Sequence, residues 1–250
     1  SARYDAEGGG GIINIVLRKG KTNGLNGSLM VMAGDPETYG ANANINFKNE
    51  KFNLFSNIGY NDRATLGNFI NNSRYLNDDN TTERFAQERR NNTRNNRGHN
   101  VNFGVEYFIT ENASIINGIN FRKVDSFNNE NVDFFYFDQN NISTFDRNRF
   151  NASTGDEISV EYNLNFTQKF KKDDHKLTID IAVSDNNEND YSTITDQVIN
   201  NPISLFIENT ANLQKQQRNL IQSDYVLPIG ENSRFEAGYR GSFLNSTTDF

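Results

Sequence analysis

Several residue types are missing or scarce in this sequence, and each absence removes a class of protein. The 250 residues contain no cysteine, which excludes a disulfide framework and makes a zinc site a poor prediction. Lysine and arginine number 25 against 32 aspartates and glutamates, and the resulting charge of -7 argues against nucleic acid as a partner. The sequence also lacks any run of about 18 apolar residues, so it encodes no transmembrane helix.

Apolar residues are scarce as well, but aromatic residues are not. The hydrophobic share is 35%, below the roughly 45–50% of soluble globular domains. A disordered chain would contain few aromatics, whereas this chain has 20 phenylalanines and 10 tyrosines. The composition therefore favours a structure in which only every second residue along a strand is apolar.

A strict alternation of apolar and polar residues is the dominant pattern. It is clearest in the segment 39–48, where Tyr39, Ile45 and Phe47 fall on one face and Asn44 and Asn46 on the other. The same pattern recurs around residues 29–33, 52–60, 101–109, 115–121, 158–166, 177–183, 221–229 and 235–243. These repeats predict an all-β, antiparallel transmembrane β-barrel fold with about nine strands, each near the 9–11 residues that cross a bilayer obliquely.

Connections between the predicted strands fall into two classes that alternate along the chain. Tight turns close each hairpin, and long polar segments (residues 61–97, 124–157 and 185–218) join one hairpin to the next. We interpret the long segments as loops at one end of the sheet. Short periplasmic turns and long extracellular loops are typical of outer-membrane barrels.

The cost of a charge in lipid predicts which face is outward. An Arg or Lys on the lipid face costs about 2–4 kcal/mol at the membrane midplane, so the uncharged face is expected to contact lipid. A soluble β-sandwich with the same residues inside is the competing interpretation. The predicted lipid-facing residues are Tyr39, Ala41, Ala43, Ile45, Phe47, Val101, Phe103, Val105, Tyr107, Val160, Tyr162, Leu164, Phe166, Ile179, Ile181, Tyr225, Phe235 and Tyr239.

Aromatic residues also cluster near the tight turns, where an interfacial girdle is expected in a membrane barrel. The residues of this predicted girdle are Phe47, Phe52, Tyr107, Phe108, Phe166, Phe170 and Tyr225.

The first residues carry a more specific signal. Four glycines, Gly8 to Gly11, lead into Ile12-Ile13-Asn14-Ile15, and this segment resembles the end of the plug domain in TonB-dependent outer-membrane receptors. The matching plug-end positions are Gly11, Ile13, Asn14 and Ile15. Residues 223–228 and 236–239 are similar to barrel hairpins of the subfamily that carries an extra carboxypeptidase-regulatory-like domain.

The resemblance implies a domain division and a function. Residues 1–20 would end a plug domain, and residues 21–250 would form the N-terminal part of a barrel that has about 22 strands in the family, with Phe250 a truncation point. The implied function is import of a nutrient (a siderophore, glycan or peptide) across the outer membrane of a Gram-negative bacterium. TonB, acting through a region absent from this chain, lipid, lipopolysaccharide and a surface lipoprotein are the implied partners, and no cofactor is implied.

A barrel of the same fold could instead serve as a surface adhesin or as a subunit of an outer-membrane assembly. The long asparagine-rich connections motivate this alternative. Either way, the sequence shows no grouping of nucleophile, base and orienting residue, so we predict no catalytic site and no enzyme.

Residue chemistry within the long segments gives only weak site predictions. Arg84, Arg89, Arg90, Arg94 and Arg97 form a basic run that suits phosphate or another anion, although a solvated loop would contain such residues too. The carboxylates and amides of residues 185–190 suit Ca²⁺, but a solvated loop again explains them, and no metal site is predicted. The substrate-binding candidates are Arg89, Arg94, Asn128 and Tyr191.

Overall fold

The computed structural model describes residues 23–199, 204–230 and 233–250. The predicted plug segment, residues 1–20 with its motif at residues 11–15, lies outside the described residues. The described part of the chain contains no helix long and apolar enough to cross a membrane. Its strands are β1 Gly24–Gly34, β2 Thr38–Lys48, β3 Phe52–Leu76, β4 Thr82–Thr110, β5 Ala113–Asp138, β6 Ser143–Lys169, β7 Lys176–Val198, β8 Phe206–Ile229 and β9 Ser233–Asp249.

The nine strands described form one antiparallel meander. Each strand pairs with the next along the chain, so the order in the sheet is the order in the sequence. Within the described residues β1 and β9 pair on one side only, and the sheet is open. The prediction of an all-β antiparallel sheet with about nine strands is confirmed.

The predicted lengths of most strands are wrong. β1 and β2 have 11 residues each, as expected, but β3 to β8 have 23 to 29. Residues 61–97, which we expected to form a loop, continue β3 and β4 as a paired ladder from Asn61↔Gly98 to Arg74↔Phe85. Residues 124–157, and residues 185–198 with 206–218, likewise extend their hairpins, because cross-strand pairing overrides the low strand propensity of asparagine.

Turns occur where Asp and Asn side chains can bond to the backbone. Asp138 Oδ1 accepts hydrogen bonds from the backbone N–H of Asn140 and Ile142, at 2.8 and 2.9 Å, at the β5–β6 tip. Asn49 Oδ1 accepts equivalent bonds from the N–H of Lys51 and Phe52 at the β2–β3 turn. These short polar side chains stabilise reversals that most other residues would not.

The register places the alternating apolar and polar side chains on opposite faces of the sheet. Directly paired residues of antiparallel strands point to the same side, and Ile45↔Ser56↔Phe103↔Ile119↔Tyr162 is one such row. We call the side of this row the apolar face and the opposite side, with Asn44, Asn102 and Glu161, the polar face. All eighteen residues predicted to contact lipid lie on the apolar face.

The apolar face does not enclose a core. Ile45 is 52% exposed and Phe103 46% exposed, and the apolar residues classed as buried in the described part are Ala113 and Val132. A soluble β-sandwich would bury these side chains together, so the structure argues against that competing interpretation.

On β3 the apolar face presents an uncharged belt nine residues long, from Phe52 to Tyr60. Corresponding uncharged stretches on the neighbouring strands complete what we call the apolar belt. Charge returns directly beyond it, where Arg97 Nε lies 3.0 Å from Asp62 Oδ2. The belt therefore has about the height that crosses the hydrocarbon layer of a bilayer.

We call the end of the sheet with the β2–β3, β4–β5 and β6–β7 turns the tight-turn end. At this end, successive hairpins are offset along the strands. Asn53 near the start of β3 pairs with Glu106, yet β4 continues to Thr110 before the chain turns. Lys176 at the start of β7 pairs with Val226, and β8 continues to Ile229. Offsets that share one direction tilt the strands relative to the belt, as closure into a barrel requires.

Candidate ligand-binding face

The polar face next to the apolar belt carries a network of asparagine amides. Asn57 Nδ2 donates to Asn44 Oδ1 at 2.6 Å and to Asn42 Oδ1 at 3.0 Å, and Asn57 Oδ1 accepts from Asn100 Nδ2 at 2.7 Å. An amide both donates and accepts, so neighbouring asparagines satisfy one another without adding charge. This network gives the polar face of β2 to β4 a neutral, hydratable lining at the level of the membrane.

Farther from the tight turns, the polar face carries arginines stacked on aromatic rings. Arg84 lies 4.3 Å from the centre of the Tyr75 ring, and Arg147 lies 4.9 Å from that of Phe134. The Tyr136 and Phe145 rings stack with centres 4.4 Å apart. With Phe69 and Arg90, 6.0 Å apart, these residues form what we call the arginine–aromatic wall: Phe69, Tyr75, Arg84, Arg90, Phe134, Tyr136, Phe145 and Arg147.

Carboxylates hold two of these guanidinium groups. Arg90 Nη2 donates to Glu88 Oε1 at 2.7 Å, and this bond raises the pKa of Arg90 above its usual value, with the charge of Glu130 contributing. Arg147 Nε lies 2.9 Å from Asp196 Oδ1, but the N–H direction is poorly aligned, so the contact is an ion pair without a hydrogen bond. An arginine stacked on a ring still directs its N–H groups sideways, where an anion can bind them.

The structure divides the predicted substrate-binding candidates between the two faces. Arg94 and Asn128 are direct cross-strand partners on the polar face. Arg89 and Tyr191 lie on the apolar face, where Arg89 covers the Phe135 ring at 5.1 Å. These four residues therefore do not form one site, because strand alternation places Arg89 and Arg94 on opposite sides.

The same alternation divides the basic run. Arg84, Arg90 and Arg94 lie on the polar face, and Arg89 and Arg97 lie on the apolar face. Sequence reasoning missed the aromatic partners Tyr75, Phe134 and Phe145 because they come from other strands. The signal that could have found them is the continued pairing of polar strands, which requires the register.

The acidic segment 185–190 also alternates between faces. Asp185 and Asn187 lie on the apolar face with their side chains 2.8 Å apart, whereas Asp190 lies on the polar face. Side chains that alternate in this way cannot surround one ion. Within the described residues no group of three His, Asp or Glu side chains is arranged to hold a metal ion.

Aromatic residues meet at the tight-turn end, where the girdle was predicted. The Phe170 and His175 rings stack with centres 4.2 Å apart, and His175 Nε2 lies 2.9 Å from the Tyr225 hydroxyl. Phe47 and Phe52 pack at 5.9 Å across the β2–β3 turn. Rings with a polar group at one edge suit the boundary between lipid and water.

An open, staggered antiparallel sheet with an uncharged belt on its apolar face, one polar face and no enclosed core among the described residues has the architecture of part of an outer-membrane β-barrel. Residues 168–250, which include β7 to β9, match the model of a family described as an outer membrane protein beta-barrel family. The match covers about a third of the chain. The protein is thus an outer-membrane β-barrel protein of Gram-negative bacteria, and the predicted location is confirmed.

A search of curated proteins found no match to this chain.

Proposed function

We propose that this chain forms part of a TonB-dependent outer-membrane receptor that imports a nutrient into the periplasm. The observation that carries the proposal is the arginine–aromatic wall, which lies on the polar face beyond the apolar belt. A barrel that bound no ligand would have no need for arginines stacked on aromatic rings on its polar face. Exposed arginine and aromatic side chains on a preformed surface are the groups that most often anchor a bound partner.

The structure supports two roles along the strands, anchoring in lipid near the tight-turn end and ligand binding farther out. The apolar belt, between Phe52 and Tyr60 on β3, would hold the chain in lipid. From Asp62 to Leu76 the same strand continues for roughly 50 Å at 3.3 Å per residue, so the hairpins would project well outside the cell. Ligand would bind among these projections and then pass along the amide-lined interior.

Dependence on TonB rests on the resemblance of the first residues to the end of a plug domain. In that family TonB, driven by the inner-membrane proton gradient, pulls on the plug and opens the path. Gly11, Ile13, Asn14 and Ile15 are the positions that carry this part of the proposal.

Uptake assays test the proposal directly. A strain that lacks the gene is compared with its parent for uptake of labelled iron chelates, glycans and peptides, with and without a proton uncoupler. We expect one class to be taken up only by the parent, and uptake but not surface binding to stop with the uncoupler. Equal uptake of every class by both strains, or uptake that ignores the uncoupler, would contradict it.

A surface assembly subunit is the second candidate, and one observation favours it. Leu66 and Ile70 lie on the apolar face beyond the belt, where they are 61% and 64% exposed. A surface lipoprotein could cover such side chains. Stable co-purification of a lipoprotein that is lost on substituting Leu66 and Ile70 by serine, in a strain with normal nutrient uptake, would favour assembly over import.

A further inference from the structure

A row of polar side chains crosses the polar face just on the tight-turn side of the arginine–aromatic wall. Thr65, Arg94, Asn128, Ser153 and Ser192 are successive cross-strand partners on β3 to β7. We call them the polar row. Neighbouring strands lie about 4.8 Å apart, so the row offers one hydrogen-bonding side chain at each such step.

Two neighbours in the polar row have unused bonding capacity. The guanidinium of Arg94 makes no ion pair or hydrogen bond with the described residues, and its side chain is exposed. Asn128 donates only a long bond of 3.5 Å to Ser153, and its Oδ1 is buried without a donor among the described residues. A buried acceptor without a partner is unfavourable, so a rotation of the Asn128 amide that brings Oδ1 to a ligand hydroxyl would be stabilised.

A second free cation lies between the polar row and the wall. Arg149 is four residues from Ser153 along β6, a distance of roughly 13 Å, and its side chain also points to the polar face. Like Arg94, it makes no side-chain ion pair or hydrogen bond with the described residues. Arg94 and Arg149 therefore present two separated positive charges on one surface of an acidic protein.

We infer that the polar row and the arginine–aromatic wall bind an acidic oligosaccharide, a chain of sugars that carry carboxylate or sulfate groups. This inference rests on the proposed function and specifies its substrate class. Arg94 and Arg149 bind the acidic groups, because guanidinium pairs bidentately with carboxylate. Asn128, Ser153 and Ser192 bind sugar hydroxyls, and the stacked rings of Tyr136 and Phe145 pack against the apolar side of a sugar ring.

The spacing of the polar row favours a sugar chain over a peptide. One hexose unit is about as long as the step between strands, so successive sugars would meet successive side chains. An extended peptide advances only about 3.3 Å per residue and binds sheets through their open edges, whereas the polar row lies on a sheet face. Between the two arginines, Asn128, Asn151 and Ser153 offer amides and a hydroxyl to sugar hydroxyl groups, and the one carboxylate there, Glu130, is paired with Arg90 at 3.6 Å.

Direct binding to the intact protein in detergent tests the inference. An oligogalacturonate is titrated into the protein in a calorimeter, and a neutral galactan oligosaccharide of equal length is titrated in the same way for comparison. We expect binding of the acidic chain only, weakened about tenfold to a hundredfold by Arg94→Gln or Arg149→Gln, because each removes a charge-assisted hydrogen bond. Arg89→Gln is the matched control, since Arg89 lies on the same strand as Arg94 but on the apolar face.

Several outcomes would overturn the inference. They are no binding of the acidic chain, equal binding of the neutral galactan, an equal effect of Arg89→Gln, and equal binding of a poly-glutamate peptide, which would indicate a peptide receptor.

The result is separable from the test of import. If the protein does not bind oligogalacturonate but still imports another nutrient, the inference about the substrate is wrong and the import proposal stands. Specific binding without uncoupler-sensitive uptake supports the site but contradicts the import proposal.

Discussion

Asn117 is a polar side chain within the apolar belt, and its partner comes from the next strand. The hydroxyl of Tyr162 donates a hydrogen bond to Asn117 Oδ1 at 2.7 Å. No water is available inside a bilayer to replace this bond, so the pair satisfies two groups that lipid would leave unpaired.

Removing that hydroxyl should weaken the fold. Tyr162→Phe is expected to lower the free energy of unfolding by about 1–3 kcal/mol, because the Asn117 amide loses its donor. Urea unfolding in lipid vesicles measures the change. Tyr107→Phe is the control, since Tyr107 lies on the same face and its hydroxyl has no hydrogen bond within the described structure. Equal losses for both variants would contradict the account.

Asp79 gives the β3–β4 tip a dependence on pH. Its carboxylate accepts hydrogen bonds from the Thr81 hydroxyl at 2.5 Å and from the Thr81 N–H at 3.0 Å, and these bonds lower the pKa of Asp79 below its usual value. A lowered pKa means that the bonds stabilise the turn above the ordinary pKa of aspartate and are lost as the pH falls through the lowered value.

We therefore expect the NMR signal of the Thr81 amide to shift in acid, with a midpoint below that of an unstructured aspartate. Asp79→Asn should abolish the shift. A signal that is unchanged throughout the acid titration would contradict the hydrogen bonding at this tip.

At the scale of single residues, the sequence was sufficient to predict faces but not partners. Period-two alternation alone identified Ile45, Phe103 and Tyr225 as residues of one face. It could not pair Arg94 with Asn128 or Arg147 with Phe134, because those pairs depend on the register between strands. Arg89 was grouped with Arg94 because both are basic and close in sequence, although an odd separation along a strand points them apart.

The parts of the hairpins that extend beyond the apolar belt, which we call the distal hairpins, are the elements that the sequence did not predict as strands. Segments rich in asparagine, arginine and serine have low strand propensity, so they were predicted as loops. In the structure each polar strand continues a ladder begun in the apolar belt, as β5 and β6 do from Phe121↔Val160 to Tyr136↔Phe145. Strand pairing that has begun in the apolar belt can extend without a new nucleation step, so the strand propensity of the added residues has little effect.

If the apolar belt anchors the chain and the hairpin extensions bind ligand, as we propose, the β5–β6 extension should be removable. We predict that replacing residues 127–154 with Asn-Gly, so that Ser126 and Gly155 flank the new turn in their native register, leaves a barrel that inserts into the outer membrane. Ligand binding should be lost with Phe134, Tyr136 and Arg149. Heat-modifiable migration on gels measures insertion.

A longer deletion provides the comparison. If the loss extends into the belt as far as the pair Ile119↔Tyr162, the barrel should fail to assemble, because those strands no longer reach across the bilayer. Failure of the shorter deletion to insert would contradict the proposed division between belt and extension.

Considered as a whole, the molecule is stabilised by hydrogen-bonded ladders and by the environment of its two faces. The described residues enclose no core, so burial within the protein contributes little. In an outer-membrane barrel the bilayer takes the place of that core, because lipid covers the apolar face and strand pairing satisfies the backbone. This account requires that Ile45 and Phe103 contact lipid while Asn44 and Asn102 face water.

Single-cysteine labelling tests that requirement most directly, because the chain has no cysteine of its own. Cysteines are placed singly at Ile45, Asn44, Phe103 and Asn102. One sample of each variant is labelled with a fluorophore and reconstituted in vesicles that contain spin-labelled lipid, and a second sample keeps its thiol free for reaction with a maleimide. We expect strong quenching by the lipid at positions 45 and 103 and reaction with a water-soluble maleimide at positions 44 and 102. Lipid quenching at positions 44 and 102, or water access at all four, would contradict the account.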